Sequence, residues 1–176
     1  MDEMRLARCT LRSWREGDAA SLARHANNRK VWLNMRDLFP HPYTLDDARG
    51  WIATGSRAEG LVSWAIVVDG EAIGGIGLVL KSDVDRRTAE LGYWLGEAYW
   101  GRGIATEALR AVTDWAFAGL DLARLEAGVF EWNPASARVL EKAGYTLEAR
   151  QPKAVTKDGR TIDRLLYARL RPQSPS

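Results

Sequence analysis

The stretch Ala89–Ala111, AELGYWLGEAYWGRGIATEALRA, decides how this chain folds. A β-prone run through Leu95 passes into a Gly101-Arg102-Gly103 turn, and a helical pattern opens at Ile104. Glycines at 101 and 103 reach backbone angles closed to other residues and let a ligand approach the main chain. A helix starting straight after such a turn aims unpaired N–H groups and the positive end of its dipole at one spot, which suits a phosphate or pyrophosphate. Arg102 adds a mobile positive charge beside it. Two familiar phosphate loops are excluded. A Walker A loop needs Lys followed by Ser or Thr after its last glycine, and Ile104-Ala105 supplies neither. A dinucleotide fold wants a third glycine where Thr106 stands and an acid at the end of the next strand, whereas Glu126 lies inside one. Taken alone, the turn reads either as an anion seat or as a purely structural turn.

Working outward, Thr88–Leu95 reads as the strand before the turn, with Gly92 interrupting it, and a helix follows from Gly103 to about Ala118. Upstream, Ser63–Val68 and Glu71–Leu80 are β-rich runs joined by Asp69-Gly70, the dipeptide suited to a type I′ hairpin; Gly74, Gly75 and Gly77 point to a bulge or close packing. Met4–Leu11 alternates as one half-buried strand that places Cys9 in the core. Asp18 is the expected N-cap of a short helix, 29–43 reads as irregular with a helical turn, and Thr44 with Asp47 forms a capping box for a helix from Leu45 to about Glu59. Downstream come a strand at Arg124–Phe130 and a helix announced by Asn133-Pro134 and closed by Gly144. Strands at Thr146–Val155 and Arg160–Leu170 flank a turn at Lys157-Asp158-Gly159. The order predicts an α+β domain: a central, mostly antiparallel twisted sheet of about seven strands with about four helices and one parallel crossover through the Gly103 helix.

Length and charge narrow the function. With 176 residues, 46% of them hydrophobic, the chain suits one domain over residues 1–171 with a short disordered tail at 172–176. A net charge of +2, from 25 basic and 23 acidic residues spread along the chain, argues against a nucleic-acid partner. No apolar run approaches the roughly 18 residues that cross a membrane, and the lone Cys9 with no leader-like N-terminus points to the cytoplasm. His25 and His41 stand sixteen residues apart without partner cysteines or clustered carboxylates, so no metal is expected.

Three segments together carry a family resemblance: Glu90–Ala108, Asn133-Pro134-Ala135-Ser136 and Glu141-Lys142-Ala143-Gly144-Tyr145. They resemble the GCN5-related N-acetyltransferases, specifically the RimJ/RimL-like branch, and RLARCTLRSWREGDA and DGRTIDRLLYARL extend the likeness over nearly the whole chain. The resemblance implies that Gly101, Arg102, Gly103, Ile104 and Ala105, with Thr106 on the first helical turn, wrap the pyrophosphate of acetyl-CoA. Trp100 departs from the family's usual Gln or Arg; that branch commonly tolerates Trp, and backbone N–H groups carry most of the contact. The resemblance also implies a bulge in the preceding strand, matched here by Gly92 and Tyr93–Leu95, that splays neighbouring strands apart so that backbone donors of Tyr93, Trp94 and Leu95 face the thioester.

Acetyl transfer to an amine needs a base, because an ammonium has no lone pair. Glu90 stands where the family often carries a catalytic glutamate; its bland alternative is a salt-bridged edge residue. The family's usual tyrosine donor to the leaving thiolate is replaced by Leu140. The resemblance to RimL-like enzymes, which offer a serine near the coenzyme sulfur, implies Ser136 as the acid or thiol-positioning donor; its alternative is a serine serving local backbone. Asn133 is implied to touch the pantetheine arm as well as cap its helix, and Tyr145 is either a second hydroxyl or core. Trp32, Trp51, Trp94 and Trp132 fall in segments expected to border the acceptor site. The implied activity is an N-acetyltransferase acting on a primary amine, such as a protein N-terminus or a small molecule, by direct attack in a ternary complex. The alternatives are a noncatalytic acyl-CoA-binding domain and a transferase of another acyl group such as succinyl. The acceptor and the oligomeric state stay open, with a homodimer as the expectation for the latter.

Overall fold

A computed structural model gives the structure of residues 3–172. Of the tail expected over 172–176, everything after Pro172 lies outside the described residues. Among the described residues there are eight strands in one sheet and five α-helices: β1 (Met4–Arg5), β2 (Thr10–Arg12), α1 (Ala19–Ala26), α2 (Arg29–Trp32), α3 (Leu45–Ala53), β3 (Leu61–Val68), β4 (Glu71–Leu80), β5 (Thr88–Leu95), α4 (Ile104–Gly119), β6 (Arg124–Phe130), α5 (Pro134–Lys142), β7 (Thr146–Lys157) and β8 (Arg160–Leu170). The spatial order is β1-β2-β3-β4-β5-β6-β8-β7, antiparallel except for the parallel pair β5–β6 that α4 connects. No helix among the described residues is long and apolar enough to cross a membrane.

Period-two alternation sorts the sheet's side chains onto two faces. Trp64 and Ile66 of β3 join Leu91 of β5 and the apolar sides of α4 and α5 in the main core, while Ala65 and Val67 pack with α1 and α3 in a smaller one. The β3–β4 hairpin turns through Asp69 (φ 50°) and Gly70 (φ 81°), both left-handed as a type I′ turn requires. At Gly74 a Cβ would fall inside the van der Waals shell of Trp94 O, so that glycine is what lets β5 lie close against β4.

Four details differ from the sequence reading. The N-terminal run breaks into β1 and β2, which pair with each other around a turn closed by Leu6 N–H donating to Cys9 O (2.9 Å). Asp18 gives α1 no side-chain cap, because its carboxylate is taken by Arg12. Helix α3 stops at Ala53, where Thr54 leaves helical angles, and a single 3-10 turn (Gly55–Arg57) follows over the Trp51 ring. Finally β5 carries no bulge: its register with β4 runs unbroken from Gly74/Leu95 to Leu80/Ala89, and the register shifts fall in β3–β4 and β7–β8.

β5 and β6 separate all the same. They pair only at Thr88/Arg124, Ala89/Leu125 and Glu90/Glu126. Beyond that point β5 follows β4 and β6 follows β8 along its full length, so the twist of each half opens a seam between them.

Candidate active site

The seam opens onto the N-terminus of α4. Gly101 (φ 73°) and Gly103 (φ 76°) are left-handed, and Gly103, as N-cap, offers no side-chain acceptor to the helix. The first intrahelical bond runs from Glu107 N–H to Gly103 O (3.1 Å), so the N–H groups of Ile104, Ala105 and Thr106 precede the helical ladder and point out of it. Two arginines flank them. Arg102 lies over the Tyr99 ring at 5.2 Å, and the Arg8 side chain reaches the Gly103 backbone from the β1–β2 turn. Glu107 holds Arg8 there, accepting from its N–H at 2.8 Å and its guanidinium at 3.4 Å. Trp100 donates its indole N–H to Leu95 O (2.9 Å), closing the connection between β5 and the glycine turn.

Backbone alternation settles which β5 groups look into the seam. Gly96 N–H donates to Ile73 O of β4 (2.8 Å), so the even-numbered residues of β5 turn their polar groups to β4 and the odd ones turn away from it. Leu91, Tyr93 and Leu95 therefore present backbone groups to the seam. Trp94 does not: its carbonyl lies against Gly74, and its indole is edge-on to Phe39 (5.5 Å) on the α1–α3 face.

From the other side, α5 begins at Pro134, and Asn133 Oδ1 accepts from Ser136 N–H (3.3 Å). With the cap supplied by Asn133, the Ser136 hydroxyl is not spent on local backbone; it meets the Tyr93 hydroxyl at 2.6 Å. Burial pushes the Tyr93 phenol up to about 12, against the pull of the Ser136 hydrogen bond. Tyr145 stands elsewhere: 2% exposed, it shares a 2.8 Å hydrogen bond with Thr113 inside the core, and burial pushes its phenol up to about 12. Cys9 is buried, and burial followed by the charge of Glu107 pushes its thiol up to about 12.

Glu90 lies where β5 and β6 separate, directly opposite Glu126. Two carboxylates facing each other repel, and each has its own cations. Glu126 takes Lys81 (2.5 Å) and Arg124 (3.0 Å); burial pushes its carboxyl up, but these partners outweigh it and hold it below the usual range. Among the described residues Glu90 takes only Arg36, an exposed residue of the segment between α2 and α3. Glu126 is thus locked into the sheet, while Glu90 keeps a carboxylate one-third exposed with a single surface partner.

The structure brings Tyr93, Leu95, Gly101–Thr106, Asn133 and Ser136 around the seam with Glu90 at its closed end. The four tryptophans disperse. Trp32 stacks on His41 (5.6 Å), Trp51 lies against Gly55, and Trp132 packs edge-on to Phe130 (6.3 Å) with Arg160 over it. A concavity of about 400 Å³ bounded by Arg24, His25, Asn28, Glu97 and Ala98 lies beside the same loop, but its groups are paired among themselves and their neighbours: Arg24 and His25 with Glu71, Asn28 and Lys30 with Glu97. Among the described residues no three His, Cys, Asp or Glu side chains gather as a metal site. Sequence reasoning missed Arg8, Arg36 and the Tyr93 hydroxyl. Each meets its partner across at least 43 residues of chain, so no local spacing announced it.

Residues 8–146 match the family model described as an acetyltransferase (GNAT) domain. Probable N-acetyltransferase YjcK of Bacillus subtilis (strain 168) is 48% identical over 86 residues, which are 49% of this chain and 48% of YjcK. The chain spans about half the length of the first curated relatives it matches. Among solved structures, RimL, a ribosomal L7/L12 alpha-N-protein acetyltransferase in complex with coenzyme A, has the same fold (TM-score 0.84, 22% identity, 96% of this chain and 98% of RimL). Mycobacterium smegmatis RimJ, in complex with a CoA-disulfide, superposes at TM-score 0.83 with 28% identity over 92% of this chain and 81% of RimJ.

Proposed function

This chain belongs to the GNAT acetyltransferase family, and on that premise we propose that it transfers the acetyl group of acetyl-CoA to a primary amine by direct attack within a ternary complex. The observation that carries the reading is the seam itself: uncapped N–H groups of α4 at one end, backbone groups of β5 along it, Ser136 on one flank and Glu90 where it closes. Gly101–Thr106 would hold the pyrophosphate through main-chain donors, with Arg102 and Arg8 adding positive charge. Asn133 would contact the pantetheine arm. The outward amides of Tyr93 and Leu95 would donate to the thioester carbonyl as charge builds on its oxygen.

Glu90 would accept the amine's proton, directly or through water, and Ser136 would donate a hydrogen bond to the sulfur as its bond to the acetyl carbon breaks. A buried thiol held near 12 is a poor nucleophile, which supports direct attack over a Cys9 acyl-enzyme. The acceptor is a protein N-terminus or a small amine; a cytoplasmic, homodimeric enzyme completes the reading.

Thiol release from acetyl-CoA, measured over a panel of amines that includes ribosomal-protein N-terminal peptides, tests it. Glu90→Gln should lower kcat about 100-fold with little change in acetyl-CoA affinity, the usual scale of losing a general base. Acetyl-CoA binding with no release for any amine would favour a noncatalytic domain, and faster release from succinyl-CoA would reassign the donor.

A further inference from the structure

Ser136 is not alone at the seam. The Tyr93 hydroxyl lies 2.6 Å from Ser136 Oγ and 3.3 Å from Ser136 O, and its ring is held by the main core. We propose that Tyr93 is a positioning residue for Ser136: its phenol donates to Ser136 Oγ and so turns the serine's own O–H into the seam, toward the sulfur of the leaving coenzyme. The inference rests on the acetyl-transfer reading.

Each hydroxyl has one hydrogen to give. A phenol is a much stronger acid than an alkanol, so in a short phenol–serine pair the phenol is the donor. The competing acceptor, Ser136 O, is farther away and lies where the helical N–H four residues on is bonded. A phenol held near 12 by burial stays protonated throughout the working range, so its donor role does not lapse with pH. Once Ser136 Oγ accepts from Tyr93, its hydrogen must go elsewhere, and a hydroxyl that is itself accepting a hydrogen bond is a stronger donor. Tyr145, the other buried phenol nearby, is committed to Thr113.

In the transfer, the carbon–sulfur bond breaks with its electron pair going to sulfur while the carbon–nitrogen bond forms. The amine's surplus proton goes to Glu90 and then to water, and the departing thiolate takes its proton from water. Ser136, aimed by Tyr93, hydrogen-bonds the sulfur while the charge develops. The Tyr93 phenol meets Ser136 and not the reacting atoms.

A double-mutant cycle tests this on the full chain. Thiol release gives kcat and KM for acetyl-CoA in the wild type, Tyr93→Phe, Ser136→Ala and the double variant, with thermal melting to check folding. Tyr93→Phe should lower kcat roughly tenfold and leave KM for acetyl-CoA within about twofold. In the Ser136→Ala background the same change should alter kcat by less than about twofold, because the group it aims is gone. Incorporation of 3-fluorotyrosine at position 93, which keeps the ring and sharpens the donor, should restore kcat and bypasses any folding defect of the phenylalanine variant. An equal loss in both backgrounds, or an unchanged kcat in Tyr93→Phe, overturns the proposal while leaving the acetyltransferase reading intact. A wild type that releases no thiol overturns both.

Discussion

Asp18 shows how one residue can be drawn away from its local role. It sits where a helix cap is wanted, yet its carboxylate accepts both guanidinium arms of Arg12, at 2.7 and 2.8 Å, and the Arg15 N–H at 2.9 Å, inside the protein. Burial pushes the Asp18 carboxyl up, but those hydrogen bonds and the nearby positive charge outweigh it and hold the group below its usual value. Removing one partner strands a buried charge, so Asp18→Asn should cost about 3 kcal/mol in denaturant melts. The pH dependence has a definite sign. A carboxyl depressed in the folded state contributes stability above its unfolded value of about 3.9, and that contribution is lost as pH falls through the folded value. The gap between wild type and Asp18→Asn should therefore be constant from about pH 7 to 5 and close below about pH 4; a gap that closes on the alkaline side would refute the assignment.

For elements, the decisive one is the turn that starts α4. Gly103 combines a left-handed φ of 76° with Arg8 Nε 3.3 Å from where a Cβ would sit. A β-branched side chain there meets backbone strain of about 1–2 kcal/mol and also displaces the arginine. Gly103→Val should raise the dissociation constant for coenzyme A at least tenfold in a fluorescence titration, whereas Gly119→Ala, at the far end of the same helix with open space around it, should leave affinity unchanged. Equal effects of the two would mean that the turn only stabilises the helix.

Across the whole molecule, the segment between α1 and α3 is fastened to the C-terminal hairpin 120 residues away. Lys157, its side chain 2% exposed, donates to Asp37 Oδ1 at 2.8 Å and lies 3.7 Å from the centroid of the Trp32 ring, while Arg29 pairs with Asp158 at 2.6 Å. The same segment carries Arg36 to Glu90. The two ends of the Lys157 pair are unequal: Asp37 is 77% exposed. Asp37→Ala leaves a buried ammonium without its anion, whereas Lys157→Met removes the charge and keeps the stem. The first should cost about 2–3 kcal/mol and the second less than about half of that, with hydrogen exchange in residues 29–41 rising more in Asp37→Ala. The reverse order would show that the lysine is held by packing alone.

Much of the fold was legible locally. Asp69-Gly70 dictates its hairpin, Asn133-Pro134 starts α5, Gly144 (φ 86°) ends it, and the Gly-Arg-Gly turn launches α4, because caps and tight turns are decided by residues within about four positions. The order of elements was enough for a mostly antiparallel sheet with one parallel crossover. What tertiary structure alone decided depends on partners distant in the chain. Hydrogen bonding with β4 and β8 draws β5 and β6 apart without the expected bulge, and alternation turns Trp94 away from the seam. Arg12 takes Asp18 from its cap, Arg36 finds Glu90, and Tyr93 meets Ser136. The sequence determined that a helix would open at a glycine turn; only packing could determine which side chains converge there, since side-chain pairs across a sheet obey the register of strands and not the spacing of residues.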